Sequence, residues 1–263
     1  MARGLFDLTG KVVLATGANS GIGLGFLQGC AKQGADVVVW GRRADKNAQA
    51  VAALKLLGAA RGHAEAVDVS DEGAVKAAFA STVRAMGRVD CVFANAGFSQ
   101  RAQSILELTS ERYHALINVN QHGAFYTLRE AALHMRRRAE SGDPGGSLVA
   151  CGSLALFHGL PGNEHYAAAK GALAAMVKSL AVEMGPYGVR VNMIAPGFII
   201  TGMMENQPQI EPLLRRFAEI TPLGRPGAIS DIEGPAAYLA SDASAFQTGD
   251  ILVIDGGRTV RAL

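Results

Sequence analysis

Tyr166-Ala167-Ala168-Ala169-Lys170 sets a phenol and an ammonium four residues apart, on one face of a helix if the segment is helical. A phenol with an ordinary pKa of about 10 is a poor base at neutrality, and a cation beside it in a partly dry site favours the phenolate. Lys170 is spaced to be that cation. Proton exchange with an alcohol or carbonyl oxygen is the chemistry such a pair can perform. Ser153 lies thirteen residues before Tyr166, just past the apolar run Ser147-Leu148-Val149-Ala150-Cys151, where a hydroxyl can donate to a carbonyl oxygen. Tyr-x-x-x-Lys alone also fits an ordinary amphipathic helix; it gains meaning only in combination.

A second constellation is Thr16-Gly17-Ala18-Asn19-Ser20-Gly21-Ile22-Gly23, between the apolar run Val12-Val13-Leu14-Ala15 and a helical pattern from about Ile22 to Gln33. Glycines at 17, 21 and 23 let the backbone turn sharply and approach a pyrophosphate, and a helix start offers free N–H groups and a partial positive charge. The spacing is Gly-x-x-x-Gly-x-Gly, unlike the commoner Gly-x-Gly-x-x-Gly. After the next run, Val37-Val38-Val39-Trp40, come Gly41, Arg42 and Arg43, with no acid to bond a ribose 2′-hydroxyl. A guanidinium matches a 2′-phosphate, so Arg42 favours NADP(H), with NAD(H) as the alternative. Asp68, after the third run, fits a hydrogen bond to an adenine, and Asn95-Ala96-Gly97 fits the wall beneath a ribose.

These residues need a scaffold, and the pattern along the chain supplies one. Short apolar runs alternate with longer helical patterns: further strands near Ala64–Val67, Val89–Ala94, Ser147–Cys151, Val189–Ile194 and Ile251–Ile254, and helices near 44–57, 71–85 (with Ser70 placed to cap it), 110–138 and 166–185. The 110–138 pattern is interrupted at Asn118, Asn120 and Gly123, which predicts a kink. Strands apolar on both faces and separated by helices mean a parallel sheet covered on both sides. The expectation is α/β: a single doubly wound Rossmann-type domain spanning 1–263, with a seven-stranded parallel sheet. The stretch 140–146 reads as a surface turn.

Composition narrows the function. Of 263 residues, 49% are hydrophobic and 25 basic residues balance 23 acidic ones, which argues against disorder and against a dedicated nucleic-acid binder. No apolar run is long enough for a membrane span, and the start carries no signal-peptide pattern. Cys30, Cys91 and Cys151 form no Cys-x-x-Cys pair, which points to small buried hydrophobes in a reducing compartment, hence the cytoplasm. The six histidines lack zinc spacing, so no metal is assigned. The 32 glycines exceed the usual share of about 7% without a collagen period.

Taken in order, the segments Thr16-Gly17-x-x-x-Gly21-Ile22-Gly23, Asp68-Val69, Asn95-Ala96-Gly97, Asn120, Ser153, Tyr166-x-x-x-Lys170, Pro196-Gly197 with Thr201, and Val253-Ile254-Asp255-Gly256-Gly257 resemble the short-chain dehydrogenase/reductase family almost from end to end. The resemblance implies that Tyr166 is general acid in reduction and general base in oxidation. It implies that Lys170 supports Tyr166 and holds the nicotinamide ribose, that Ser153 polarises the carbonyl, and that Asn120 anchors a relay water. Asn118 is the nearby alternative, but Val119-Asn120-Gln121-His122-Gly123 matches the family context better. By the same resemblance Asn19, Ser20, Ile22, Val69 and Ala96 join the cofactor contacts, Pro196, Gly197 and Ile199 meet the carboxamide, and Thr201 lies near the phosphates. A segment of about 198–226, with Met203, Met204 and Phe217, covers the substrate.

The chain departs from the family pattern where Ala94 replaces a second asparagine and Gly152 a serine, and the glycine loop lacks the basic residue common in NADP-dependent members. The expected activity interconverts a secondary alcohol and a ketone, foremost NADPH-linked carbonyl or 3-oxoacyl reduction on a small-molecule substrate. An NAD-linked sugar or polyol dehydrogenase is the alternative, and a non-catalytic nucleotide-binding regulator the alternative of another class. The apolar lean of Ala155, Leu156, Phe157, Phe198 and Met203 disfavours a polyhydroxylated substrate. A homotetramer, assembled in part through the C-terminal strand region, is implied too. His165 reads as an exposed loop histidine, and Arg136-Arg137-Arg138 as the solvated end of a helix.

Overall fold

In the computed structural model, which describes residues 4–201 and 210–260, seven parallel strands form one sheet. They are β1 (Val12–Thr16), β2 (Asp36–Gly41), β3 (Gly62–Ala66), β4 (Cys91–Ala94), β5 (Gly146–Cys151), β6 (Val189–Pro196) and β7 (Ile251–Ile254), in the order β3-β2-β1-β4-β5-β6-β7. The chain runs outward one way from β1 and returns to start again at β4, so the order reverses between β1 and β4. That is where open α/β sheets bind ligands, beyond the strands' carboxyl ends. The doubly wound reading from sequence holds. Met203 and Met204 lie outside the described residues.

Alternation along each strand splits the core in two. Val12, Leu14, Val38, Trp40, Val92, Leu148 and Val191 face one helical layer: α3 (Glu72–Met86), α5 (Gly123–Glu140) and α6 (Glu164–Met184). Val13, Ala15, Val37, Val39, Phe93, Val149 and Ile194 face the other: α1 (Gly21–Ala31), α2 (Ala44–Leu56) and a helix of residues Ser230–Ala240, here α8. Fully buried Leu14, Leu27, Leu54, Leu128, Leu148 and Leu173 each contribute roughly 1.5–3 kcal/mol by leaving water. Two aromatic contacts knit the layers to the sheet. Phe26 stacks on Phe93 at 4.8 Å, and Trp40 meets Phe79 edge-on while its indole N–H donates to Thr82 Oγ1 at 3.1 Å.

The sequence reading placed no helix between β6 and β7, yet two stand there: α7 (Ile210–Ile220) and α8. Ile210, Leu213, Leu214, Phe217 and Ile220 recur at helical spacing, so α7 was legible. Pro235 inside α8 masked the other. The cap of α3 also differs from expectation. Asp71, not Ser70, accepts the Ala74 N–H at 3.0 Å, while Ser70 turns its hydroxyl to Asp68 Oδ1 at 2.7 Å. Arg138 is not solvated at the helix end. It donates to the Val89 carbonyl and to Asp143, fastening the 141–145 turn beneath the sheet.

The predicted kink between 110 and 138 is a π turn. Helix α4 (Ser110–Ile117) runs into π-helical residues Asn118–His122 and then α5. The widened turn brings Gly123 against Val69, where a Cβ would sit 2.6 Å from Val69 Cγ2. All three cysteines are free and buried, as expected from their spacing. Burial pushes the Cys91 thiol up to about 12 and raises those of Cys30 and Cys151, so none is a thiolate at neutrality.

Candidate active site

The loop from β1 to α1 is shaped for an anion. Gly17 and Gly21 have φ of 61° and 57°, a conformation that L side chains rarely adopt. At Gly23 a Cβ would fall 2.5 Å from Asn95 Nδ2 and 2.7 Å from the Gly17 carbonyl oxygen. Ser20 stands at the N-cap of α1 but its side chain caps nothing, so the first N–H groups of the helix keep no side-chain acceptor. A pyrophosphate satisfies such groups and is held by the helix dipole. The residues present therefore fit a dinucleotide.

Behind that loop, β4 is tied to β1. Thr16 Oγ1 accepts the N–H groups of Asn95 and Ala96 at 3.0 and 2.9 Å, and Asn95 Nδ2 donates to the Thr16 carbonyl at 2.9 Å. Asn95 thus holds the glycine loop by its side chain, and the Ala96 Cα lies 3.0 Å from where a Gly17 Cβ would sit. Asn19 faces inward and donates to Asn47 Oδ1 at 2.7 Å. Asn47 is a residue the sequence reading missed. Fully buried in α2, it also donates to the carbonyls of Gly41 and Glu65, clamping β2, β3 and the loop together. A Cβ at Gly41 would meet Asn19 Nδ2 at 2.6 Å and Asn47 Oδ1 at 2.7 Å, so packing disfavours any side chain there, an acid included. The only early signal was an asparagine in a helix start beside Gly41-Arg42.

Arg42 and Asp68 sit exposed at the ends of β2 and β3. The Ser70 hydroxyl and N–H, and then the charge of Arg42, hold the Asp68 carboxyl below its ordinary range. Thr201 approaches the loop from the other side, its Cγ2 being 3.4 Å from where a Gly21 Cβ would lie.

The four catalytic candidates come from β5, the π turn and α6, all at the carboxyl edge of the sheet. Lys170, 4% exposed, donates from Nζ to the Cys151 carbonyl at 2.7 Å and lies 5.6 Å from the centre of the Tyr166 ring. An ammonium has three donors, so two remain beyond the bond to Cys151. Tyr166 packs against the cluster of Leu116, Ile117 and Ala169, the first two just before the π turn. Ser153 Oγ accepts the Ala155 N–H at 3.2 Å, which leaves its own proton free to donate. Gly152 explains the missing second serine: a Cβ there would lie 2.5 Å from Met193 Sδ. Asn120 is 1% exposed, and both ends of its amide are spent on Phe98, accepting its N–H at 3.0 Å and donating to its carbonyl at 2.8 Å.

Gly197 closes the site on the far side. Its N–H donates to the Ile254 carbonyl at 2.8 Å, and a Cβ would lie 2.8 Å from Asp255 Cα. Pro196 is buried at the end of β6. Ile199 is buried too, bridged to Gly227 through the Phe198 carbonyl and the Ile200 N–H, so its own amide points away from that bridge. A cleft of about 170 Å³ opens here between Phe198, Ile199, Leu223, Arg225 and Asp255. Phe217 of α7 stacks on Phe198 with ring centres 3.7 Å apart, and the Arg258 guanidinium lies over the Phe217 ring, 4.9 Å from its centre. His165 is not an exposed loop residue: it lies inside α6, 1% exposed. Among the described residues no cluster of three or more histidine, cysteine or acidic side chains could hold a metal.

A family model described as enoyl-(acyl carrier protein) reductase matches residues 17–259. The chain is 35% identical over 254 residues to an L-rhamnose 1-dehydrogenase (NAD(P)(+)) of Sphingomonas sp. strain SKA58, covering 96% of this chain and 98% of that one. It is 33% identical over 252 residues to a 3-oxoacyl-(acyl-carrier-protein) reductase of Chlamydia pneumoniae, covering 96% and 98%. Among solved structures, a gluconate 5-dehydrogenase from Burkholderia cenocepacia J2315, in complex with NADP and tartrate, superposes with a TM-score of 0.88 at 30% identity, covering 98% of each chain. The chain belongs to the short-chain dehydrogenase/reductase family. It is an oxidoreductase acting on a CH–OH group with NAD(P).

Proposed function

We propose that the protein reduces ketones with NADPH, Tyr166 protonating the carbonyl oxygen as hydride arrives. The observation that carries this reading is the convergence of a buried Lys170, Tyr166 on the same helix face and the Ser153 hydroxyl at one strand end. When bound, the nicotinamide supplies or accepts the hydride. Ser153 donates to the substrate oxygen and orients it, and Tyr166 gives that oxygen its proton. Lys170 fixes the phenol's surroundings and reaches the ribose. With its side chain spent on Phe98, Asn120 serves the proton relay through the main-chain carbonyls of the π turn, where the regular ladder is broken. Arg42, exposed at the end of β2, meets the 2′-phosphate.

The described residues of the 198–226 segment belong to the substrate cover, with Phe217 seated on Phe198. Phe98, Phe157 and Leu160, each at least 40% exposed on the segments that follow β4 and β5, suit an apolar or acyl ketone. A second reading is oxidation of a sugar or polyol, favoured by the similarity to L-rhamnose and gluconate dehydrogenases. Turnover of a panel of apolar ketones, 3-oxoacyl thioesters and sugars with NADPH and NADH separates the two. Faster sugar oxidation with NAD than ketone reduction with NADPH refutes the first reading.

We also propose a cytoplasmic homotetramer. A groove of about 270 Å³ between α5 and α6, flanked by exposed Phe125 and Leu133, offers apolar area for a second copy. A monomer in sedimentation refutes it. Among the described residues no helix is long and apolar enough to cross a membrane.

A further inference from the structure

Tyr166 sits in the first turn of α6, where N–H groups have no intrahelical acceptor, and Asn163 at the N-cap makes no side-chain cap bond. What steadies this turn comes from elsewhere. Residues 98–102, leaving β4, run between the π turn and the start of α6 and are bonded to both. At one end Asn120 grips both main-chain groups of Phe98. Further along, the Gln100 carbonyl accepts from His165 Nε2 at 3.1 Å, and the Ala102 N–H donates to the Gly162 carbonyl at 2.8 Å. The Arg101 guanidinium donates to the Pro161 carbonyl at 2.8 Å, and the Arg101 carbonyl accepts from Arg112 at 3.3 Å.

Two side chains at the head of α6 reach this strap: Asn163 Oδ1 accepts from the Ser99 hydroxyl at 3.5 Å, the outer limit of a hydrogen bond, and His165 makes the shorter bond to Gln100. A carbonyl can only accept, so Nε2 carries the proton. Nδ1 is then buried with no partner. A buried, unpaired nitrogen is unfavourable, and a side chain chosen for packing alone would not bring one. The imidazole is there for its Nε2 bond.

We propose that His165 is a positioning residue: by bonding the Gln100 carbonyl it locks the first turn of α6 to the strap held by Asn120, and so fixes the Tyr166 phenol relative to the π turn. The idea rests on the reading of Tyr166 as the acid–base. Three variants of the full chain test it. In His165→Gln an amide N–H reaches the Nε2 position; in His165→Asn it reaches only as far as Nδ1; His165→Leu keeps bulk without a donor. The Leu and Asn variants are expected to lose kcat about tenfold to fiftyfold, since small misplacements of a reacting group have effects of that order, while the NADPH Kd stays within twofold. The Gln variant should retain kcat within about threefold of the natural protein by the same reasoning.

Amide hydrogen exchange gives a second readout, independent of activity. Segments 98–102 and 164–168 should exchange about tenfold faster in the Leu and Asn variants than in the Gln variant, with the 16–23 loop unchanged in all three. Natural kcat and exchange in His165→Leu, or a Gln variant as impaired as the Leu variant, overturns the proposal. If His165→Leu does not fold, the contrast between Asn and Gln decides. If the natural protein turns over nothing while exchange follows the stated pattern, the acid–base reading falls and the clasp stands.

Discussion

In the loop between β1 and α1, missing atoms act together with the bonds of Asn19, Asn47 and Asn95; around Tyr166 placement rests on side-chain bonds. Gly23 lets the loop lie where any Cβ would strike Asn95 and the Gly17 carbonyl, and Gly17 and Gly21 take left-handed φ values. The catalytic side has no such constraint at Tyr166. Its residues are held by long-range side-chain bonds: Lys170 to Cys151, Asn120 to Phe98, His165 to Gln100. The difference has a physical reason. A diphosphate must meet backbone N–H groups at close range, which only a bare backbone permits, whereas proton transfer needs one oxygen set within a fraction of an ångström. Damage to the first region should therefore appear as lost cofactor affinity, and damage to the second as lost kcat.

The largest effect that would sharpen this contrast is on the catalytic side. Lys170→Ala should lower kcat by roughly 10²–10⁴-fold, the range for loss of acid–base function, and leaves the buried Cys151 carbonyl unpaired. A variant keeping a tenth of natural kcat would break the contrast. Next comes Gly23→Ala, whose new methyl meets the Asn95 side chain and the Gly17–Ala18 backbone. Overpacking of this kind costs about 1–3 kcal/mol, and cofactor affinity should fall about tenfold to a hundredfold by calorimetry. Unchanged affinity would mean the loop is not held by packing.

Arg42→Ala should weaken NADPH by about tenfold, one charge-assisted bond's worth, and leave NADH within twofold. Equal loss for both cofactors would remove Arg42 from phosphate recognition. The smallest expected effect lies far from both regions. His134 Nε2 accepts the Val89 N–H, and burial, then the charge of Arg138, holds its pKa below the ordinary 6.5. The unfolded chain therefore binds this proton first, so stability is full above about pH 6.5 and declines as pH falls below it. His134→Gln, whose amide oxygen can still accept, should remove that slope, a difference below about 1 kcal/mol between pH 7 and 5.5 in denaturant titrations. Parallel pH profiles would show that His134 does not titrate with folding.

The seven strands and the glycine loop were legible because each is a local pattern: apolar runs, and glycines between a strand and a helix. Asn120, Ser153, Tyr166 and Lys170 were legible as an ordered set, and the kink at 118–123 as a break in periodicity, though not as a π turn. The rest depended on partners distant in sequence. Asn47 reads as one more polar residue on α2 until Gly41 and Glu65 stand beside it. His165 looked exposed because the strap that buries it arrives from β4, sixty-five residues earlier. Gly152 read as a departure from the family, and only the neighbouring strand's Met193 shows why it is required.

The most direct test of the whole assignment is Tyr166→Phe, which removes one oxygen and leaves the ring against the Leu116, Ile117 and Ala169 cluster. NADPH binding by fluorescence should stay within about threefold, while turnover of a substrate ketone falls by roughly 10²–10⁴-fold, the measure of a lost general acid. A variant that binds NADPH and still turns over at the natural rate would contradict the account.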